Sequence, residues 1–176
     1  MKFTSLLTAA SLALGAFASS LDPPTFAKIL EGTLQLDQSR GTIQGHEGKR
    51  FLVEFKGGNL TDPETGAVAA SWENIGGQFG VTFDNQFIHS DVHLVFKWTD
   101  DNTYAHVELF GCGTIADGLF TYARIDTSSP TRQDWQDNFF MFHINPAGND
   151  PVKPVAFYKM DIDWTGRINA TAQTSG

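Results

Sequence analysis

The sequence predicts an all-β protein, a single antiparallel β-barrel of about eight strands. Three observations carry this. Most periodic stretches alternate with period two rather than 3.6, turn-forming residues recur at short intervals, and no repeat or linker divides the chain.

The expected strands are Ala27 to Leu36, Arg50 to Lys56, Gln78 to Asp84, His89 to Trp98, Tyr104 to Phe110, Leu119 to Asp126, Asn138 to Ile144 and Val155 to Trp164. Between them lie turn-rich segments such as Asp37-Gln38-Ser39-Arg40-Gly41, Thr61-Asp62-Pro63-Glu64-Thr65-Gly66 and Asn145-Pro146-Ala147-Gly148-Asn149-Asp150-Pro151. Only Ala67 to Trp72 reads as a turn or two of helix. Some strands are amphipathic, with Phe51, Val53 and Phe55 alternating with Arg50, Leu52, Glu54 and Lys56. Others, around Phe120 and Phe140, have no wet face and call for cover on both sides, from an extra segment or from another subunit of a homo-oligomer.

Residues 1–18 have a basic start, an apolar run from Leu6 to Phe17 and an Ala-x-Ala exit, the pattern of a cleaved secretory leader. Residues 19–176 then form the barrel domain, and no stretch is long enough for a membrane span. The sequons at Asn59 and Asn169 are expected glycosylation sites in an exported chain. The single Cys112 excludes an internal disulfide and reads as a small buried residue. The net charge of -8, with no Lys/Arg cluster, argues against nucleic acid as a partner.

The stretch from Ile88 to Phe110 reads as a hairpin. His89, Asp91 and His93 share one face of its first strand, and Ile88, Val92, Leu94, Phe96 and Trp98 the other. The two histidines lie about 13 Å apart along the strand, too far to chelate one ion, so no metal is expected. The turn Thr99-Asp100-Asp101-Asn102-Thr103 decides the register of the returning strand. With Asn102 left-handed in a three-residue loop, Tyr104, His106 and Glu108 share the face of Phe96 and Leu94; a two- or four-residue loop puts Glu108 opposite His93 and Tyr104 opposite Lys97. Asn102 favours the first register. Tyr104, His106 and Glu108, with Arg124 and Tyr122, would then form an acid/base group inside the barrel. There is no Gly-x-Ser-x-Gly elbow, phosphate loop or dinucleotide fingerprint, and no cofactor is expected.

The motifs Gly57-Gly58-Asn59-Leu60, Gly76-Gly77-Gln78-Phe79-Gly80, Thr99-Asp100-Asp101-Asn102, Phe139-Phe140-Met141-Phe142 and Tyr158 resemble a largely uncharacterised family of small bacterial and fungal β-barrels, of allene-oxide-cyclase-like or lipocalin-like type. Gln78-Phe79 stands where members often carry an Asp-Trp pair. The chain also resembles the fungal barrels that act as hetero-Diels-Alderases in tropolone-sesquiterpenoid biosynthesis. That resemblance implies a water-poor cavity joining an o-quinone methide to an apolar alkene.

The expected function is therefore a cyclase or isomerase of secondary metabolism acting on an apolar small molecule. Its walls would come from Phe96, Trp98, Glu108, Phe120, Tyr122, Phe140 and Phe142, and Tyr104, His106, Arg124 and Tyr158 would orient or protonate the substrate. A non-catalytic binder of apolar molecules would use much the same residues. A carbohydrate-binding surface protein would instead expose Trp72, Trp135 and Trp164.

Overall fold

The structure, a computed structural model, describes residues 23–37, 41–82 and 87–161. Eleven strands occur among them: β1 Phe26–Leu36, β2 Gly41–Gly45, β3 Gly48–Gly57, β4 Asn59–Thr61, β5 Val68–Gln78, β6 Val81–Thr82, β7 Phe87–Trp98, β8 Tyr104–Thr114, β9 Gly118–Thr127, β10 Phe140–Ile144 and β11 Val152–Met160. Eight close a ring of antiparallel neighbours in the order β1, β3, β5, β7, β8, β9, β10, β11 and back to β1. The short β2, β4 and β6 pair onto this ring, so the strand count exceeds the expected eight while the closed antiparallel barrel stands.

Two local expectations change, and one element is new. Of Ala67 to Trp72, all but Ala67 belong to β5 rather than to a helix, because Ala70 and Trp72 point into the core and that burial outweighs alanine's helical preference. The stretch from Gln78 to Asp84 ends β5 and forms the two-residue β6 within its described part, rather than one strand. A 3-10 turn, Gln133–Asp137, precedes β10. The leader, the end of the last expected strand, Trp164 and Asn169 lie outside the described residues.

The Gly76-Gly77 pair explains how β5 stays in the ring. The β5–β7 register shifts between Trp72 and Gly76, so β5 bends before pairing again with β7 at Leu94. Gly76 takes φ +103, and a Cβ there would stand 1.9 Å from the His93 carbonyl oxygen. Neither the backbone conformation nor the close approach admits a side chain.

Inside, the barrel divides into two ends. At one, Trp72, Phe96, Trp98, Phe140 and Phe157 pack with almost no exposure. Phe96 meets Trp72 and Trp98 edge-on, with centroids 5.4 and 4.7 Å away, and Trp135 caps Trp98 at 5.3 Å. The loop after β9 closes over this plug. Arg132 lies 3.9 Å above the Trp98 ring and donates to both carboxylate oxygens of Asp100. Trp98 Nε1 donates to Thr127 Oγ1 at 2.9 Å, and Ser129 Oγ donates to Asp101 at 2.5 Å.

The β7–β8 turn belongs to the same network. Trp98 N donates to Thr103 O, which leaves a four-residue loop, Thr99 to Asn102. Asn102 is left-handed, φ 59, as its residue type suggests, but the loop is one residue longer than expected. Asp101 accepts from Thr103 N and Oγ1 inside the turn. The resulting register places Glu108 opposite His93 and Tyr104 opposite Lys97.

Gly76→Ala is expected to cost on the order of 1–3 kcal/mol, measured as a lowered urea midpoint at unchanged slope. The hydrogen bonds from Ser129 and then Thr103, helped by Arg132, hold the Asp101 carboxyl below its ordinary value of 3.8. Its contribution to stability is therefore complete above that value and is lost as pH falls through the lower folded-state value. Asp101→Asn should lower the thermal midpoint at neutral pH and flatten its fall between about pH 5 and 2.

Candidate functional site

The other end of the barrel is not filled. There the inward residues leave a partly open cavity of about 380 Å³, within the range of small-molecule sites. Its walls are mainly apolar: Phe51, Val53 and Phe55 of β3, Ile88, Val92 and Leu94 of β7, Leu109 of β8, and Phe142 and Ile144 of β10. Phe51, Val53 and Phe55, and Ile88, Val92 and Leu94, are the residues that alternation groups on one face of β3 and β7, whereas Leu109 was expected on the face opposite Leu94.

The polar lining is sparse. Gln78 Nε2 donates to Ser90 Oγ at 3.3 Å, and Thr121 Oγ1 reaches the Phe142 carbonyl at 3.4 Å. Thr82 Oγ1 is buried and has no hydrogen-bond partner, an unmet donor and acceptor in an apolar wall. Lys49 and Thr42 line the cavity from β3 and β2. Among the described lining residues there is no carboxylate and no imidazole. Pro146 lines the cavity from the loop after β10. That loop is held by Lys153, whose buried Nζ donates to the carbonyls of Ala147 and Gly148, each at 2.9 Å.

The residues expected to do chemistry do not meet in this cavity. The four-residue turn makes odd positions of β8 face inward, so Ala105, Val107 and Leu109 are buried while Tyr104, His106 and Glu108 face outward. Tyr104 is 52% exposed. The β8–β9 pairing carries the same parity into β9: Thr121, Ala123 and Ile125 point inward, and Phe120, Tyr122 and Arg124 outward. Tyr158 lies on the outer face of β11, alternating with buried Val155 and Phe157.

Of the expected walls, Phe142 lines the cavity, and Phe96, Trp98 and Phe140 belong to the aromatic plug. Phe120, 51% exposed, stacks on His143 at 4.3 Å, and Tyr122 packs on Phe139 at 4.9 Å. These outer aromatics cover one another in part. Cys112 is exposed rather than buried, on the outer face of β8. Trp72 is core and Trp135 is half-buried in the plug, so neither is the exposed platform that carbohydrate binding would need. Asn59 is exposed on β4 and accepts from Ser71 Oγ.

Thr82, Ser90 and Thr121 were not singled out from the sequence, and Gln78 drew notice only as a departure from the family's Asp-Trp pair. Their signal was present as small or neutral polar residues at inward positions of otherwise apolar strands. It could be used only once each strand's parity was known.

On the outer face, the hairpin gathers a separate polar group. His93 stacks on His106 with centroids 5.7 Å apart, and Arg124 lies 3.9 Å from Glu108 and 3.4 Å from Asp126. One ligand-bearing atom from each of His93, His106 and Glu108 can be chosen so that all lie within 4.8 Å of one another.

Fold and cavity together define a small antiparallel β-barrel with an apolar interior site. No family model and no curated protein matches the chain. Solved structures do. A conserved protein of unknown function from Rhodopseudomonas palustris aligns with TM-score 0.66 at 16% identity, over 78% of this chain and 98% of its own. A protein of unknown function from Clostridium acetobutylicum gives 0.65 at 15% identity, over 78% and 99%. An enzyme from Penicillium herquei gives 0.57 at 14% identity, over 79% and 96%. The chain therefore shares its barrel fold with proteins of unknown function and with one enzyme.

Lys153→Met should release the loop while keeping the buried volume. Amide exchange across residues 145–151 is expected to accelerate roughly tenfold, with little change in the thermal midpoint.

Proposed function

We propose that the protein is a cyclase or isomerase of the hetero-Diels-Alderase kind, which confines an apolar substrate in the barrel cavity and assists it with neutral hydrogen-bond donors. The observation that carries this is the composition of the wall: apolar side chains around Gln78, Ser90 and the unpartnered Thr82 hydroxyl, without carboxylate or imidazole. A concerted cycloaddition between an o-quinone methide and an alkene converts π bonds into σ bonds within one cyclic array. It requires neither proton transfer nor an external electron donor. The work left to a protein is alignment of the two partners and stabilisation of charge developing on the quinone methide oxygen. Gln78 Nε2 and the Thr82 hydroxyl supply such donors from the wall.

That the barrel also occurs in an enzyme from Penicillium herquei supports a catalytic reading of the fold. Export through the secretory route, and glycosylation at exposed Asn59, belong to the same proposal. A second reading, a non-catalytic carrier of apolar molecules, is favoured by the same lack of carboxylate and imidazole in the wall.

Two measurements separate these readings. Titration with the apolar fluorophore N-phenyl-1-naphthylamine should show saturable binding, abolished in Ser90→Trp, which fills the cavity. Adding an o-quinone methide precursor and an apolar alkene should then give faster, stereochemically biased adduct formation. Gln78→Leu with Thr82→Val should slow it roughly 10–100-fold, and Tyr104→Phe and Tyr158→Phe, outside the barrel, should leave it unchanged. Probe binding without acceleration across a panel of dienes and alkenes would favour the carrier. Failure of the wild type to bind the probe would overturn both readings.

A further inference from the structure

We propose that the outer face of the β7–β8 hairpin is a binding site for a divalent transition metal ion of the zinc and copper class, held by His93, His106 and Glu108. The site is separate from the cavity and does not depend on the function proposed for it. Along β7 alone, His89 and His93 are too far apart to share an ion. Across the hairpin the geometry differs, because neighbouring strands lie only about 4.8 Å apart. His93 stands directly opposite Glu108, and His106 is two residues before Glu108 on the same face, diagonal to His93.

His93 Nδ1 lies 4.0 Å from Glu108 Oε1, and a third ligand atom from His106 falls within 4.8 Å of both partners' ligand atoms. Bonds of about 2.0–2.1 Å to imidazole and carboxylate require ligand atoms about 3.3 Å apart in a tetrahedral site. Small rotations of the three side chains would close that gap. All three are half-buried on a paired two-strand platform, so their backbones need not move. Two imidazoles and a carboxylate suit zinc or copper better than magnesium or calcium, which prefer oxygen ligands throughout.

A second observation points the same way. Asp91 Oδ1 is buried and makes no hydrogen bond, yet it lies 3.4 Å from His93 Nε2. Metal-bound histidines usually donate their other ring N–H to a carboxylate, which fixes the tautomer. With Nε2–H directed at Asp91, the lone pair of His93 is on Nδ1, the atom that faces Glu108. The unsatisfied oxygen thereby acquires a role.

Arg124 competes with the ion. Its guanidinium is 3.9 Å from Glu108 and 3.4 Å from Asp126. The side chain is more than half exposed and can withdraw toward Asp126, leaving Glu108 to the metal.

The test uses the full chain, purified without a histidine tag, stripped with chelator and titrated with Zn²⁺ in a calorimeter. Co²⁺ absorption serves as a spectroscopic readout of imidazole ligation. One equivalent should bind. His93→Ala together with His106→Ala should abolish binding, and Asp91→Asn should weaken it roughly 10–100-fold. Arg124→Ala should tighten it roughly tenfold by removing a cation about 4 Å from a ligand. His89→Ala, on the same strand and face but outside the trio, should bind as the wild type does. Circular dichroism establishes that each variant is folded. No stoichiometric Zn²⁺ binding by the wild type, or unchanged binding by the folded double variant, would overturn the proposal.

Discussion

The register of the β7–β8 hairpin is the constraint on which the rest of this barrel depends. Side chains alternate strictly along a strand, so the pairing of His93 with Glu108 sends every odd residue of β8 inward. The β8–β9 and β9–β10 pairings extend that parity to Thr121, Ile125, Phe140 and Phe142. A slip of one residue would turn Val107 and Leu109 to water and push His106 and Glu108 into an apolar interior. The four-residue turn prevents this. Asp101, fixed by Ser129 and Thr103, ties the turn to the loop that caps the aromatic plug. Local turn chemistry and core packing thus enforce the same register.

Much of the fold was legible in the sequence. Period-two alternation located β1, β3, β7, β8 and β9 nearly as they stand and made a barrel the natural closure. The missed β5 shows where local pattern runs out. Ala67-Val68-Ala69-Ala70-Ser71-Trp72 has helical propensity, and only the ring it must complete makes it a strand. The site was less legible for a sharper reason. Asn102 announced a left-handed residue, but the loop length around it depends on where Trp98 and Thr103 bond, which neighbouring residues do not specify. That single residue of length moved Tyr104, His106 and Arg124 from the interior to the surface.

The outcome is a division of labour between two faces of one sheet. Hydrocarbon, neutral polar groups and Lys49 line the cavity, while His93, His106, Glu108, Arg124 and Asp126 gather outside. In a small cavity this separation has a physical advantage. An ionised group with no partner would carry a heavy desolvation cost there, whereas a hydroxyl or amide costs much less and still directs a hydrogen bond. The same groups on the wet face keep their charges at little expense.

The aromatic plug also dictates traffic. With Trp98, Phe96, Phe140 and Trp135 filling one end, a guest held above them finds no passage through that end among the described residues. For the reaction proposed above, a product larger or stickier than its precursor would hold the cavity against the next arrival, so release as well as events at the walls would set turnover.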